Sequence, residues 1–197
     1  MGTSFLSGNT IMHAALWQHH AAIDLRTLGG PNSAVEWQVQ NTDGYVSGIS
    51  ETSKKDPLGE SKQWSCHAFL PDAGSSGDTC LGFVWHDRAM QALPALGGNN
   101  GYAAGMNGDR TIAGWAETAV HDSTCVLPQK LQFLPVVWDA KTLAATKLPT
   151  LTVNDLASWV DASWTSDTPG MTDQTVGKYL SDDILAPLFN KPAPTIP

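Results

Sequence analysis

The groups in this sequence that could do chemistry are six histidines, nineteen Asp and Glu residues and three cysteines. His86-Asp87 and His121-Asp122 set an imidazole beside a carboxylate, the pairing a general base needs. Neighbours on an extended strand point to opposite faces, so adjacency in the chain does not by itself make a dyad. His67, His121 and Asp122 are therefore candidates for catalytic base and metal ligand as separate groups. Asp43 and Asp109 sit in Asn/Asp-Gly turns, where carboxylates and carbonyls could hold Ca2+. The same side chains also bond their own backbone in tight turns, and no D-x-D-x-D-G loop is present. Glu51 and Glu117 could act as an acid–base pair or as hydrogen-bond partners within the scaffold. The absence of a G-x-S-x-G elbow argues against a serine esterase of the α/β-hydrolase type. Cys66 and Cys80 bracket a Gly/Ser-rich segment and could close it with a disulfide, leaving Cys125 unpaired. Neither C-x-x-C nor H-x-x-x-H spacing occurs, which weakens a zinc reading.

Several of these residues recur at fixed places. His13-Ala14-Ala15-Leu16-Trp17 is followed by Leu25, Leu28-Gly29-Gly30, an Asp43-Gly44 turn and Val46-Ser47-Gly48-Ile49-Ser50-Glu51-Thr52. Gly82-Phe83-Val84-Trp85 is followed by Leu93, Leu96-Gly97-Gly98, an Asn107-Gly108-Asp109 turn and Ile112-Ala113-Gly114-Trp115-Ala116-Glu117-Thr118. Trp17 to Leu28 and Trp85 to Leu96 are both 11 residues. A third copy opens at Pro135-Val136-Val137-Trp138, reaches Leu148-Pro149-Thr150-Leu151, and lacks the Gly-Gly. Each copy reads as four short apolar strands separated by Gly, Asn and Asp turns. One such sheet cannot bury both faces alone, so copies must stack.

These elements, H-A-x-L-W, D-L-x-T-L-G-G, the Asn/Asp turn and V-x-G-x-x-E, resemble the HAF family of probable extracellular repeats. The resemblance spans roughly residues 11–151. It implies a secreted or surface-exposed bacterial protein, extracellular or periplasmic, with β-propeller-like repeats. It implies no reaction. His67-Ala68-Phe69 repeats the family's namesake tripeptide inside an insertion, without the Trp. Some propellers are calcium-dependent lactonases or glycosidases, so a metal-assisted hydrolase of lactone, ester or glycoside is the alternative to a plain binding module. That alternative rests on analogy between folds.

The fold expected is all-β: antiparallel four-stranded meander repeats, β-propeller-like and incomplete, with about two and a half to three blades in place of a full ring. High Gly (18), eight Trp and only 15% charged residues agree with many tight turns and few long helices. The repeat region is 1–151, with units 13–52, 81–118 and a partial 133–151, and insertions 53–79 and 119–131. Residues 152–197 leave the pattern as an irregular or partly helical tail. The net charge of −8 argues against nucleic acid as a partner. No run of 18 apolar residues is present to span a membrane, and the first residues read as no signal peptide. With so few blades, a homo-oligomer is expected to complete the assembly.

In a meander, connections alternate between two ends of the sheet. The Gly-Gly-Asn segments near 29–33 and 97–101 should therefore emerge beside the insertions, and the Asp43 and Asp109 turns at the other end. That places Asn32, Asn99, Asn100, Trp64, His67, His121 and Asp122 together as the expected binding end for a small-molecule or carbohydrate ligand. Trp17, Trp85 and Trp138 are repeat-equivalent and expected in the core. Trp37, Trp64 and Trp115 are the better candidates for exposed aromatics.

Overall fold

The computed structural model describes residues 1–35, 44–62, 65–70, 75–123, 125 and 127–149. The expected tail helices, Trp37, Asp43 and Trp64 lie outside these residues. The described chain is antiparallel β in three open sheets. Strands β1 (Gly2–Phe5), β2 (Met12–Gln18) and β3 (Ala21–Asp24) make the first sheet. Strands β4 (Gly29–Ala34), β5 (Val46–Lys55), β6 (Asp78–His86) and β7 (Ala89–Ala92) make the second. The third holds β8 (Gly97–Met106), β9 (Thr111–His121), β10 (Leu131–Asp139) and β11 (Ala145–Lys147). The helical segments among the described residues are two single 3₁₀ turns in the first insertion, Glu60–Lys62 and His67–Phe69. No helix among the described residues is long and apolar enough to cross a membrane.

The sheets cut the repeat at a different point from the sequence units. β5 and β6 pair in register from Val46↔Trp85 to Glu51↔Cys80, so the first insertion is a long hairpin connection within one sheet. Its length suggests a unit boundary, yet lengthening a hairpin loop costs little. The change of sheet instead falls in the short Leu25–Leu28 and Leu93–Leu96 segments. There Leu25 N–H donates to the Ala14 carbonyl at 3.0 Å, and Leu93 N–H to the Gly82 carbonyl at 2.8 Å. Each buried leucine pins the chain to the sheet it is leaving. β1 precedes the first repeat unit and pairs with β2 as β5 does with β6 and β9 with β10.

Two cores lie between the sheets. Ala14 and Leu25 pack with Val46, Phe83 and Trp85 between the first and second sheets. Val84 and Leu93 pack with Ala103, Ile112, Val136 and Trp138 between the second and third. Alternation along β6 explains the division: Phe83 and Trp85 face one neighbour and Val84 the other. A third cluster draws on all three sheets: the equivalent positions Met12, Cys80 and Phe133 join Ala34, Tyr102, Ile49 and Trp115, with Cys66 and Leu70 of the insertion. Trp115 is thus fully buried, not an exposed aromatic, because it holds the position of Ile49, two residues before the repeat Glu.

Candidate functional site

The residues that recur most strictly form one construction, seen twice. Glu51 on β5 accepts from the Asn32 backbone N–H (3.2 Å) and side-chain amide (2.8 Å). Glu117 on β9 accepts from the Asn100 backbone N–H (2.9 Å) and its amide (3.1 and 3.2 Å). Each Asn then uses its oxygen to reach the preceding sheet. Asn32 Oδ1 accepts from Met12 N–H of β2 at 3.1 Å, and Asn100 Oδ1 from Cys80 N–H of β6 at 2.9 Å. The second glycine of each Gly-Gly pair makes the approach possible. A Cβ on Gly30 would stand 2.6 Å from the Glu51 Cβ, and one on Gly98 would collide with the Glu117 Cβ. Gly-Gly-x-Asn and the later Glu are thus the parts of a polar clamp between consecutive sheets. All four Asn and Glu residues are buried.

The insertions close onto these carboxylates. Ser76 N–H donates to Glu51 Oε1 at 2.7 Å. Glu117 Oε1 accepts from Ser65 Oγ at 3.3 Å and from Gln129 Nε2 at 3.1 Å. Gln129 also donates to Glu60 Oε1 at 3.2 Å, and that oxygen accepts the Lys130 and Leu131 N–H groups at 2.7 and 2.6 Å. One amide of the second insertion therefore bridges two buried carboxylates, Glu60 of the first insertion and Glu117 of β9. Burial pushes the Glu117 carboxyl up to about 7, the nearby Glu60 adds to the rise, and hydrogen bonds from Gln129 and Asn100 oppose it. The Cys66–Cys80 disulfide anchors the same insertion, with the two Cα atoms 5.7 Å apart. Neither Glu60 nor Gln129 was visible as a site residue in the sequence, because each lies in an insertion with no repeat counterpart.

The Gly-Gly-Asn segments and both insertions meet at one end of the sheets, joined by these bonds. The segments are not loops, however: Gly29–Asn32 and Gly97–Asn100 begin β4 and β8. Asn32 and Asn100 turn their side chains inward to the clamp. Asn99 is partly exposed while its N–H binds Glu117 Oε2 at 3.1 Å. His67 and His121 are exposed and Asp122 is half-buried, its N–H donating to the Lys130 carbonyl at 2.8 Å. His86 and Asp87 do touch, Nδ1 to Oδ2 at 3.2 Å, because Asp87 has left the strand for a positive-φ turn. His13 pairs across the sheet with Asp24 at 2.9 Å.

At the far end, exposed Asp109 sits in the β8–β9 turn, but the side chain that closes this turn is Asn107. Its Oδ1 accepts Thr111 N–H at 2.9 Å. Among the described residues no three His, Cys, Asp or Glu side chains come together in a group that could hold a metal ion. Comparison of the chain with protein-family models, with curated proteins and with solved structures gave no match.

Proposed function

We propose that this chain is a ligand-binding, surface-interaction module without a reaction of its own, part of an extracellular repeat protein. One observation carries the reading. The polar residues that the repeat encodes, Asn32, Asn100, Glu51 and Glu117, are buried and engaged in holding sheets and insertions together. The recurring chemistry is therefore architectural, and what faces solvent at the insertion end is a mixed surface that includes Asn99, His67 and His121 together with Val120 and Leu127. A rigid scaffold that displays surface loops suits recognition. The extracellular assignment draws on the HAF-like motifs and on the Cys66–Cys80 disulfide, a bond that persists in oxidising compartments.

The test is binding of the chain to a carbohydrate and small-molecule array, followed by titration of any hit. Asn99→Ala and His121→Ala are expected to weaken binding with little change in thermal stability, since neither side chain belongs to the clamp. Hydrolysis of a lactone or ester substrate that is lost on chelation and in the His121 variant would replace this reading with the hydrolase one.

A further inference from the structure

Each interface between sheets includes one tryptophan and one leucine-containing turn. Trp138 of β10 is buried against Leu93, and its indole N–H donates to the Pro94 carbonyl at 3.0 Å. Trp85 of β6 lies in the same way among Leu25, Leu28 and Ile23. Each tryptophan thus docks on the turn that follows the tryptophan hairpin of the preceding copy.

Both partners of this contact recur once more, at opposite ends of the stack. Trp17 holds the first tryptophan position and is 50% exposed, against 8% for Trp85 and 1% for Trp138. It points away from the second sheet, since alternation puts Ala14 and Leu16 on that side. At the other end, Leu148-Pro149 repeats Leu93-Pro94. Leu148 N–H donates to the Pro135 carbonyl at 2.9 Å, as Leu93 does to Gly82. Leu148 is partly buried against Val137 and Ala113, and Pro149 is exposed.

We propose that the Trp17 face of one chain docks on the Leu148-Pro149 face of a second copy, reproducing between molecules the contact that Trp138 makes with Leu93-Pro94. A second copy is the fitting occupant because the two ends carry the complementary halves of the tryptophan-to-leucine-turn contact that this chain already makes twice internally. Residues 152–197 carry no further Trp-to-Gly-Gly unit. The contact is head-to-tail, so the ends stay open until the assembly closes on itself. This inference concerns assembly and stands independently of the ligand-binding reading.

Sedimentation of the full chain up to about 100 µM tests it, a range that captures weak association. The expected result is a mass of two or more chains. Trp17→Ala should weaken the association by roughly tenfold or more, as loss of a central aromatic anchor does. Its melting temperature should barely change, because an exposed side chain holds little of the fold together. In a Cys125→Ser background, Trp17→Cys combined with Pro149→Cys should give a disulfide between chains on mild oxidation. A single-chain mass throughout, an association unaffected by Trp17→Ala, or a disulfide formed within one chain would each overturn the proposal.

Discussion

The side-chain amide of Asn100 donates to both oxygens of the buried Glu117 carboxylate, at 3.1 and 3.2 Å, while its carbonyl oxygen accepts from Cys80 N–H of the neighbouring sheet. One side chain thus joins the Glu117 carboxyl on its own sheet to a backbone donor on the next. Asn32 and Glu51 repeat the arrangement with Met12. A polar clamp of this kind specifies how far apart and in what register the sheets lie, which apolar contact alone does less well.

Asn100→Ala is expected to lower stability by roughly 2–3 kcal/mol, since it strands the buried Cys80 N–H and strips two donors from Glu117. Gly98→Ala should cost about 2 kcal/mol through forced overpacking against the Glu117 Cβ and the Thr118 carbonyl. Urea unfolding followed by tryptophan fluorescence measures both. Near-wild-type midpoints would mean that the clamp is dispensable.

The β2–β3 hairpin offers a gain. Its two turn residues, His19 and His20, adopt φ of 49° and 66°, the left-handed region that Asn-Gly occupies with least strain. Replacing His19-His20 with Asn-Gly should raise stability by about 1 kcal/mol, because side chains with a full Cβ are strained there. Differential scanning calorimetry of the double variant is the measurement. A lowered melting temperature would show that the imidazoles hold the turn by contacts of their own.

The β8–β9 turn separates two residues that look interchangeable in sequence. Asn107→Ala should cost about 1 kcal/mol, the worth of its bond to Thr111 N–H. Asp109→Ala, at an exposed turn position, should stay within about 0.5 kcal/mol of wild type. Paired thermal melts decide between them, and the reverse order would return the turn to Asp109.

The strands and turns were legible in the sequence because Trp17 and Trp85 stand at the same 11-residue spacing from Leu28 and Leu96, and because Asn107-Gly108 marks a tight hairpin. The frame of the sheets was not. A 27-residue insertion such as 53–79 looks like a boundary, whereas the real change of sheet hides in four residues, Leu25–Leu28. Periodicity also identified Glu51 and Glu117 as equivalent without saying which way their side chains face. Asn32 and Asn100 beside turn glycines read as loop residues, and only the pairing of β4 with β5 and of β8 with β9 turns them inward. Glu60 and Gln129 left no trace at all, since a contact between two insertions has no period. Trp115 differs from its counterpart Ile49 and so looked like a departure with a purpose, while its ring packs in the core against Phe69 and Phe133.

Acidity should act on the fold through Glu117. Burial, with the charge of Glu60, lifts its carboxyl from the ordinary 4.5 to about 7 in the folded chain. Between these values the folded protein holds a proton that the unfolded chain has released. This group's contribution is therefore fully present below about pH 4.5 and is lost as pH rises through about 7, by on the order of 3 kcal/mol. Asp78 runs the other way: its hydrogen bond to Lys55 leads in holding its carboxyl below the ordinary 3.8, so its contribution fades only in stronger acid. Denaturant midpoints are thus expected to fall steadily from about pH 5 to about pH 7.5 and then level, a slope set by the proton difference between the two states. Glu117→Gln keeps an acceptor for the Asn99 and Asn100 N–H groups but cannot titrate, so it should flatten that slope. An unchanged slope in the Glu117→Gln protein would assign the proton to another group and leave the clamp carboxylate ionised at neutral pH.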